Sequence, residues 1–439
     1  QEGTVLAVNA TIATNAVLST AVATITNSSI TTPTDVNANP QRPAGADITV
    51  FAQNRSGIEA TINSATTGDG PGSTGVGVTL AFNTLGYQSQ NVLFNTINAL
   101  LSTDIGTAEP AKVEAGITDT TIDVTGDISV TAENEAGLNA GYGSEAAGDA
   151  AATVLLASNM VKTDVDAYVV FTTSGTVSAG GAVTIDAHDA AAIICSATSV
   201  NSGDAGPSME RDILQNVLKP LNSRPFDFVS SDGSQSIAFG KVVKIAKDHE
   251  AGGDPGTYYK YMGQTKTLDL SQQDYTDKGY WQLMAPFTVP SAVDIGDNEG
   301  LSVGALIVRN DVRTDVDSQL KNVTLSSGDV AITALEDSSV HAIVDSEVTA
   351  NGSSAFGQDT SKAINVIAAT NLILGTTDAL VKGSTITSSG DVAVSADNTS
   401  LINARNLANT SAGATTGTGT LAFNTVGWAA QNLLFSTVD

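Results

Sequence analysis

Two short runs hold the only recurring pairs of carboxylates: "TDVDAYV" supplies Asp164 and Asp166, and "TDVDSQL" supplies Asp315 and Asp317. Residues two apart on a strand point to the same side, so each pair presents two acids together. Such a pair can share general-acid and general-base work on a sugar, hold calcium with further oxygens, or form a solvated acidic face. Both pairs sit at equivalent repeat positions with only Lys162 and Arg313 nearby. That context favours the solvated face, then calcium, and ranks catalysis last. The calcium-binding nonapeptide G-G-x-G-x-D is absent, so Asp164, Asp166, Asp315 and Asp317 stand as calcium candidates without motif support.

The other reactive side chains are scattered. His188, His249 and His341 fall in three different segments. His188 and His341 follow similar phrases, so they could share a face. Cys195 is the only cysteine and lies in the apolar run "AAIICSA", which reads as a buried, inert thiol. No nucleophile elbow, zinc-binding helix, phosphate loop or complete dinucleotide fingerprint occurs. No enzyme activity is expected, and no cofactor beyond a candidate calcium ion.

Forty-six Asp and Glu against nineteen Lys and Arg give a net charge of -27, which repels the phosphate backbone and argues against a nucleic-acid partner. No apolar run is long enough for a transmembrane helix. The first residues lack the basic and apolar regions of a secretion leader, so the compartment has to be inferred from the kind of protein.

Aromatic residues concentrate in one place. Residues 204–290 hold ten of the twenty-one aromatics and nine of the nineteen Lys and Arg. This shift marks an inserted small α+β module. Its first part, "SMERDILQNVLKPL", reads as a capped helix, and the remainder reads as short strands. Tyr258, Tyr261, Tyr280 and Trp281 are candidates for an aromatic platform that binds a glycan or protein; the competing expectation is that they form the core of a module with few aliphatics.

What must position all of these residues is a repeat. Five phrases share a turn followed by a period-two strand: "ADITVFA", "GDISVTA", "GAVTIDA", "GDVAITA" and "GDVAVSA". Upstream of four of them lies a second alternating strand that begins at Asn15, Asn159, Asn310 or Asn371. Alternation with small or β-branched inward residues predicts strands in a narrow core. A strand about every twenty residues, recurring at fixed intervals, predicts an all-β, parallel β-solenoid with flanking helices. At that period some 17 coils would make a rod about 80 Å long. The expected organisation is solenoid coils over 1–203, the inserted module at 204–290, and coils over 291–439.

The phrase "TLAFNTLGYQSQNVLFNTIN" from Thr79 returns as "TLAFNTVGWAAQNLLFSTVD" from Thr420. From about residue 361 the chain therefore re-enters its own beginning, like an excerpt from a tandem array with neither end capped. Apolar residues at helical spacing predict a flanking helix near 87–103. Tyr87, Phe94, Trp428 and Phe435 are candidates for contacts between neighbouring units.

The repeated "GDVAVSADN" and "TLAFNT" phrases and the "YYKYMGQTKTLDLSQQDYTDKGYW" insert resemble the giant secreted repeat proteins of bacteria, adhesins similar to filamentous haemagglutinin. The resemblance implies an extracellular or cell-surface structural segment of a fibre, biofilm matrix or adhesin, with copies of itself as partners. The alternatives are a glycan- or protein-binding module displayed on a solenoid stalk and, less favoured, a polysaccharide-degrading β-helix enzyme.

Overall fold

In the computed structural model the chain makes five successive circuits through three parallel sheets, A, B and C. The structure describes residues 5–32, 46–68, 73–86, 110–204, 226–238, 241–261, 265–277, 280–283, 300–351 and 361–427. The first circuit comprises β1 (Leu6–Val17), β2 (Thr20–Thr26), β3 (Ser29–Thr31), β4 (Ile48–Asn54) and β5 (Gly57–Thr67). The second comprises β6 (Thr74–Leu85), β7 (Ala111–Thr118), β8 (Thr121–Val124), β9 (Ile128–Asn134) and β10 (Gly137–Gly148). In the third, one long strand, β11 (Ala150–Ala179), replaces three, followed by β12 (Val183–Asp189) and β13 (Ala192–Asp204).

The inserted module then contributes β14 (Phe228–Val229), β15 (Ser234–Ile237), β16 (Val242–Lys244), β17 (Tyr258–Tyr261), β18 (Lys266–Asp269) and β19 (Trp281–Leu283). The fourth circuit is β20 (Leu301–Ser327), β21 (Val330–Glu336) and β22 (Ser339–Asn351). The fifth is β23 (Lys362–Lys382), β24 (Thr385–Ser388), β25 (Val392–Asn398) and β26 (Leu401–Ala412), after which β27 (Thr415–Val426) returns to sheet A.

Sheet A runs β1-β6-β11-β20-β23-β27, with β2, β3, β7, β8 and β24 completing its second half. Sheet B runs β4-β9-β12-β21-β25 and sheet C runs β5-β10-β13-β22-β26. The five turn phrases of the sequence are sheet B. Ile48, Ile128, Val183, Val330 and Val392 form one column of direct partners, and Ala52, Ala132, Ala187, Ala334 and Ala396 another. Like residues stack on like, so each circuit offers its neighbour a surface of its own shape, and a one-residue slip would turn the apolar set outward.

Sheet A is long enough to cover both other sheets. Its second half closes on sheet B around Val113, Ile117, Val165, Ile185, Val316 and Ile332. Its first half closes on sheet C around Ala81, Leu138, Leu155, Ile193, Leu306 and Val340. Burying one such Val, Ile or Leu contributes about 1.5–3 kcal/mol. The alternation is clean in β12, where Val183, Ile185, Ala187 and Asp189 are buried and the residues between them are half-exposed.

One expectation needs correction. Successive asparagines of one sheet A column lie 68, 76, 151, 61 and 53 residues apart. A circuit therefore takes roughly three strands of about twenty residues, not one, and the interval of 151 includes the module. With six strands on its main path, sheet A is about 24 Å high rather than 80 Å. The only helix among the described residues is the short 3-10 turn Leu270–Gln272. The helix expected near 87–103, the one expected from Ser208, and Tyr87, Phe94, Trp428 and Phe435 lie outside the described residues.

Candidate functional site

The structure brings the four nominated aspartates together. Asp164 is the direct partner of Asp315, and Asp166 of Asp317, on adjacent strands β11 and β20. Glu114 extends the second row on one side and Asp378 on the other, while Lys112 lies across from Asp164. Lys112 Nζ sits 3.0 Å from Glu114 and 3.6 Å from Asp166. Tyr168 donates its hydroxyl to Glu114. Its ring lies over Gly116, where a Cβ would collide with it, so the glycine is what lets the tyrosine lie flat on the sheet.

Stacked carboxylates repel, and half-burial sharpens the repulsion. Burial first, then Asp164, pushes Asp166 from 3.8 up to about 6. Burial and Asp164 also raise Asp315, and burial and Asp315 raise Asp317. Burial works against Glu114, but its hydrogen bonds from Tyr168 and Lys112 leave its value lowered. Among the described residues no three His, Cys, Asp or Glu side chains converge on a point where a metal ion would sit. The acids form a stripe along the sheet, an arrangement that attracts a cation atmosphere.

The asparagines noted at the strand starts have a role that the sequence reading did not assign. Asn15 Nδ2 donates to Asn83 Oδ1 at 2.8 Å, Asn83 to Asn159 at 3.1 Å, Asn159 to Asn310 at 2.8 Å, Asn310 to Asn371 at 2.8 Å and Asn371 to Asn424 at 2.7 Å. The result is one polar ladder through all six strands, with every bond pointing the same way. Asn83, Asn159, Asn310 and Asn371 are buried, so each amide satisfies its neighbour where water cannot.

A second column lies at the end of sheet B, buried at Asn54, Asn134, Asp189 and Glu336 and ending at exposed Asn398. Asp189 accepts from Asn134 Nδ2 at 2.9 Å, from the Ala191 amide at 2.8 Å and from Thr163. Burial raises it from 3.8 to about 6 against those hydrogen bonds, and Glu336 adds to the rise. Glu336 accepts from Thr314, Asn398 and Ser400. These two acids belong to the column's polar interior.

The aromatic platform does not survive as four exposed rings. Tyr261 and Trp281 are 1% and 2% exposed, in a core with Tyr259, Tyr275, Val243 and Ile245. Tyr275 and Trp281 have ring centroids 4.5 Å apart, and the Tyr275 hydroxyl donates to Leu270 O at 2.9 Å. A module of short strands has few aliphatics to bury, so its aromatics supply the core. Tyr280, 50% exposed, stacks on Tyr261 at 6.4 Å, and half-buried Tyr258 lies beside Phe226 and under Lys244 Nζ. Lys260, on the opposite face of β17 from Tyr259 and Tyr261, is buried near Asp345 of sheet C, and β19 lies against β10 and β13.

The remaining candidates separate. His188 pairs across sheet B with Leu335 and His341 across sheet C with Ile194, so they share no face. Cys195 is buried and its thiol is pushed up to about 12 by that burial, which makes it inert. No helix among the described residues is long and apolar enough to cross a membrane. No family model matches the chain, and neither a curated protein nor a solved structure is significantly similar to it.

Proposed function

We propose that the chain is a β-solenoid segment of an extracellular bacterial fibre, matrix filament or giant adhesin, in which further circuits of the same kind stack end on end. The observation that carries this reading is the asparagine ladder. Its donor end, Asn424 Nδ2, and its acceptor end, Asn15 Oδ1, are both exposed and have matching polarity, so the ladder can be extended indefinitely in one direction.

The repeated phrase supports the same reading. Gly86 and Gly427 both turn at φ +74°. The backbone of Lys162 in the next circuit fills the place where a Cβ of Gly86 would stand, whereas no described residue comes within 4 Å of that place at Gly427. A further circuit over β24 to β27 would cover Gly427 as Gly86 is covered. In such a body the acidic stripe and the aromatic module recur on the outside, and the work of the repeat is mechanical. Secretion and a surface location are part of this proposal and rest on the wording of the repeated phrases alone. Negative-stain images of native material test the reading: filaments are expected, and short dispersed particles would count against it.

A second reading, glycan binding by the module, rests on Tyr280 and Tyr258, the platform rings that remain accessible. A glycan array with Tyr280→Ala tests it: binding that the substitution leaves unchanged removes it.

A further inference from the structure

One lysine of this acidic chain is held by rings instead of a carboxylate. Lys244 Nζ lies 5.5 Å from the ring centroid of Phe226 and 5.6 Å from that of Tyr258. The two rings are 6.1 Å apart and inclined at 45°, so they make a shallow V with the ammonium over both. Strand pairing builds this arrangement: Lys244 on β16 is the direct partner of Tyr258 on β17 and of Val229 on β14, and Phe226 stands two residues ahead of β14. Phe226 is 40% exposed, and Tyr258 and Lys244 are half-buried.

Among the described residues Lys244 makes no ion pair, in a chain with 46 acids. Asp227, the carboxylate next to Phe226 in the chain, is already taken: it accepts from Lys241 Nζ and from the Val242 amide, each at 2.8 Å. A ring face attracts an ammonium but gives its three N–H donors no acceptor oxygen. The charge therefore stays available to an anionic group that arrives beside the rings. Aromatic faces take the flat C–H face of a sugar, and a few placed polar groups fix its orientation. A sugar that carries a carboxylate meets both demands at once. An acidic peptide carries its carboxylates on flexible stems and offers the rings no rigid apolar face.

We propose that Phe226, Tyr258 and Lys244 form a subsite for a carboxylate-bearing sugar of an acidic polysaccharide. The proposal rests on the reading of the module as a glycan binder and adds the class of glycan. The ring pair stacks the sugar, and Lys244 Nζ donates to its carboxylate in a charge-assisted hydrogen bond. The chain's -27 opposes an anion at long range, but physiological salt limits that opposition to about 8 Å.

The test is titration calorimetry of the full chain with galacturonate and mannuronate hexamers and with their carboxyl-reduced, neutral counterparts. Wild type is expected to bind an acidic form at least ~10-fold more tightly than its neutral counterpart. Lys244→Met should remove that preference and Lys244→Arg should keep it, whereas Phe226→Ala should weaken both forms about 5-fold. Protease resistance of residues 226–283 checks that each variant module is folded. Lys266→Met, at an exposed position on β18, is expected to change nothing. Equal binding of acidic and neutral forms, or a preference that survives Lys244→Met in a folded module, overturns the proposal and leaves glycan binding in place. Equal competition by a poly-glutamate peptide also overturns it and would assign the subsite to an acidic protein. Binding of no hexamer overturns it as well, and a blank glycan array would then remove the broader reading with it.

Discussion

Asn159→Ala should cost far more than its size suggests. Asn159 is fully buried and stands mid-ladder, accepting from Asn83 and the Tyr142 hydroxyl and donating to Asn310. Truncation leaves Asn310 Oδ1 without a donor in a dry interior, at about 1–3 kcal/mol. It also removes one of the two acceptors of Asn83 Nδ2 and the acceptor of the Tyr142 hydroxyl and opens a small cavity, so about 3 kcal/mol in all is expected. Asn15→Ala deletes the same group where water reaches the end of the ladder, and should cost about 0.5–1 kcal/mol. Stacked circuits lose stability locally, so amide hydrogen exchange in Ala157–Val161 should accompany urea unfolding. If Asn159→Ala costs under about 1 kcal/mol, or no more than Asn15→Ala, the ladder does not hold the circuits together as argued.

Three further outcomes are expected. Asp189 has its folded value raised from 3.8 to about 6, so its protonated form is favoured and its contribution is lost as pH rises through about 6. Removing that charge with Asp189→Asn should stabilise the chain at pH 7 by about 1–3 kcal/mol and flatten the dependence between pH 4 and 6 in urea melts; a less stable variant at pH 7 contradicts this. The Asp166 carboxylate should titrate near 6 by carbon NMR, moving down in Asp164→Asn and up in Lys112→Met, and an ordinary midpoint unmoved by either change refutes the stripe's coupling. Trp281→Ala should destabilise the module by about 3–5 kcal/mol and Tyr280→Ala by under about 1 kcal/mol, read as protease sensitivity between residues 226 and 283; equal sensitivities would contradict the core assignment.

The sheet B phrases were legible because period-two alternation and a turn are local signals, and all five copies pair in register as one sheet. The number of strands per circuit was not legible. Twenty-residue spacing fits a coil of one strand as well as a circuit of three, and only pairing partners such as Asn310 and Asn371 distinguish them. The acidic pairs were found because they recur. Asp189 and Glu336 were passed over because they occupy, once each, a column where other circuits carry asparagine, and burial is not visible in a single residue's identity. The aromatic cluster was visible, but which rings face inward depends on β16, β17 and β19 pairing, which composition does not encode.

The measurement that bears most directly on stacking is cryo-electron microscopy of native material, read for its axial repeat. The Thr79 phrase on β6 and the Thr420 phrase on β27 are four strands apart in sheet A. Filaments should therefore show a layer line near 4.8 Å and an axial repeat of about 19 Å per unit. Discrete particles without an axial repeat, or filaments whose unit rises about 80 Å as a twenty-residue coil would require, contradict the account.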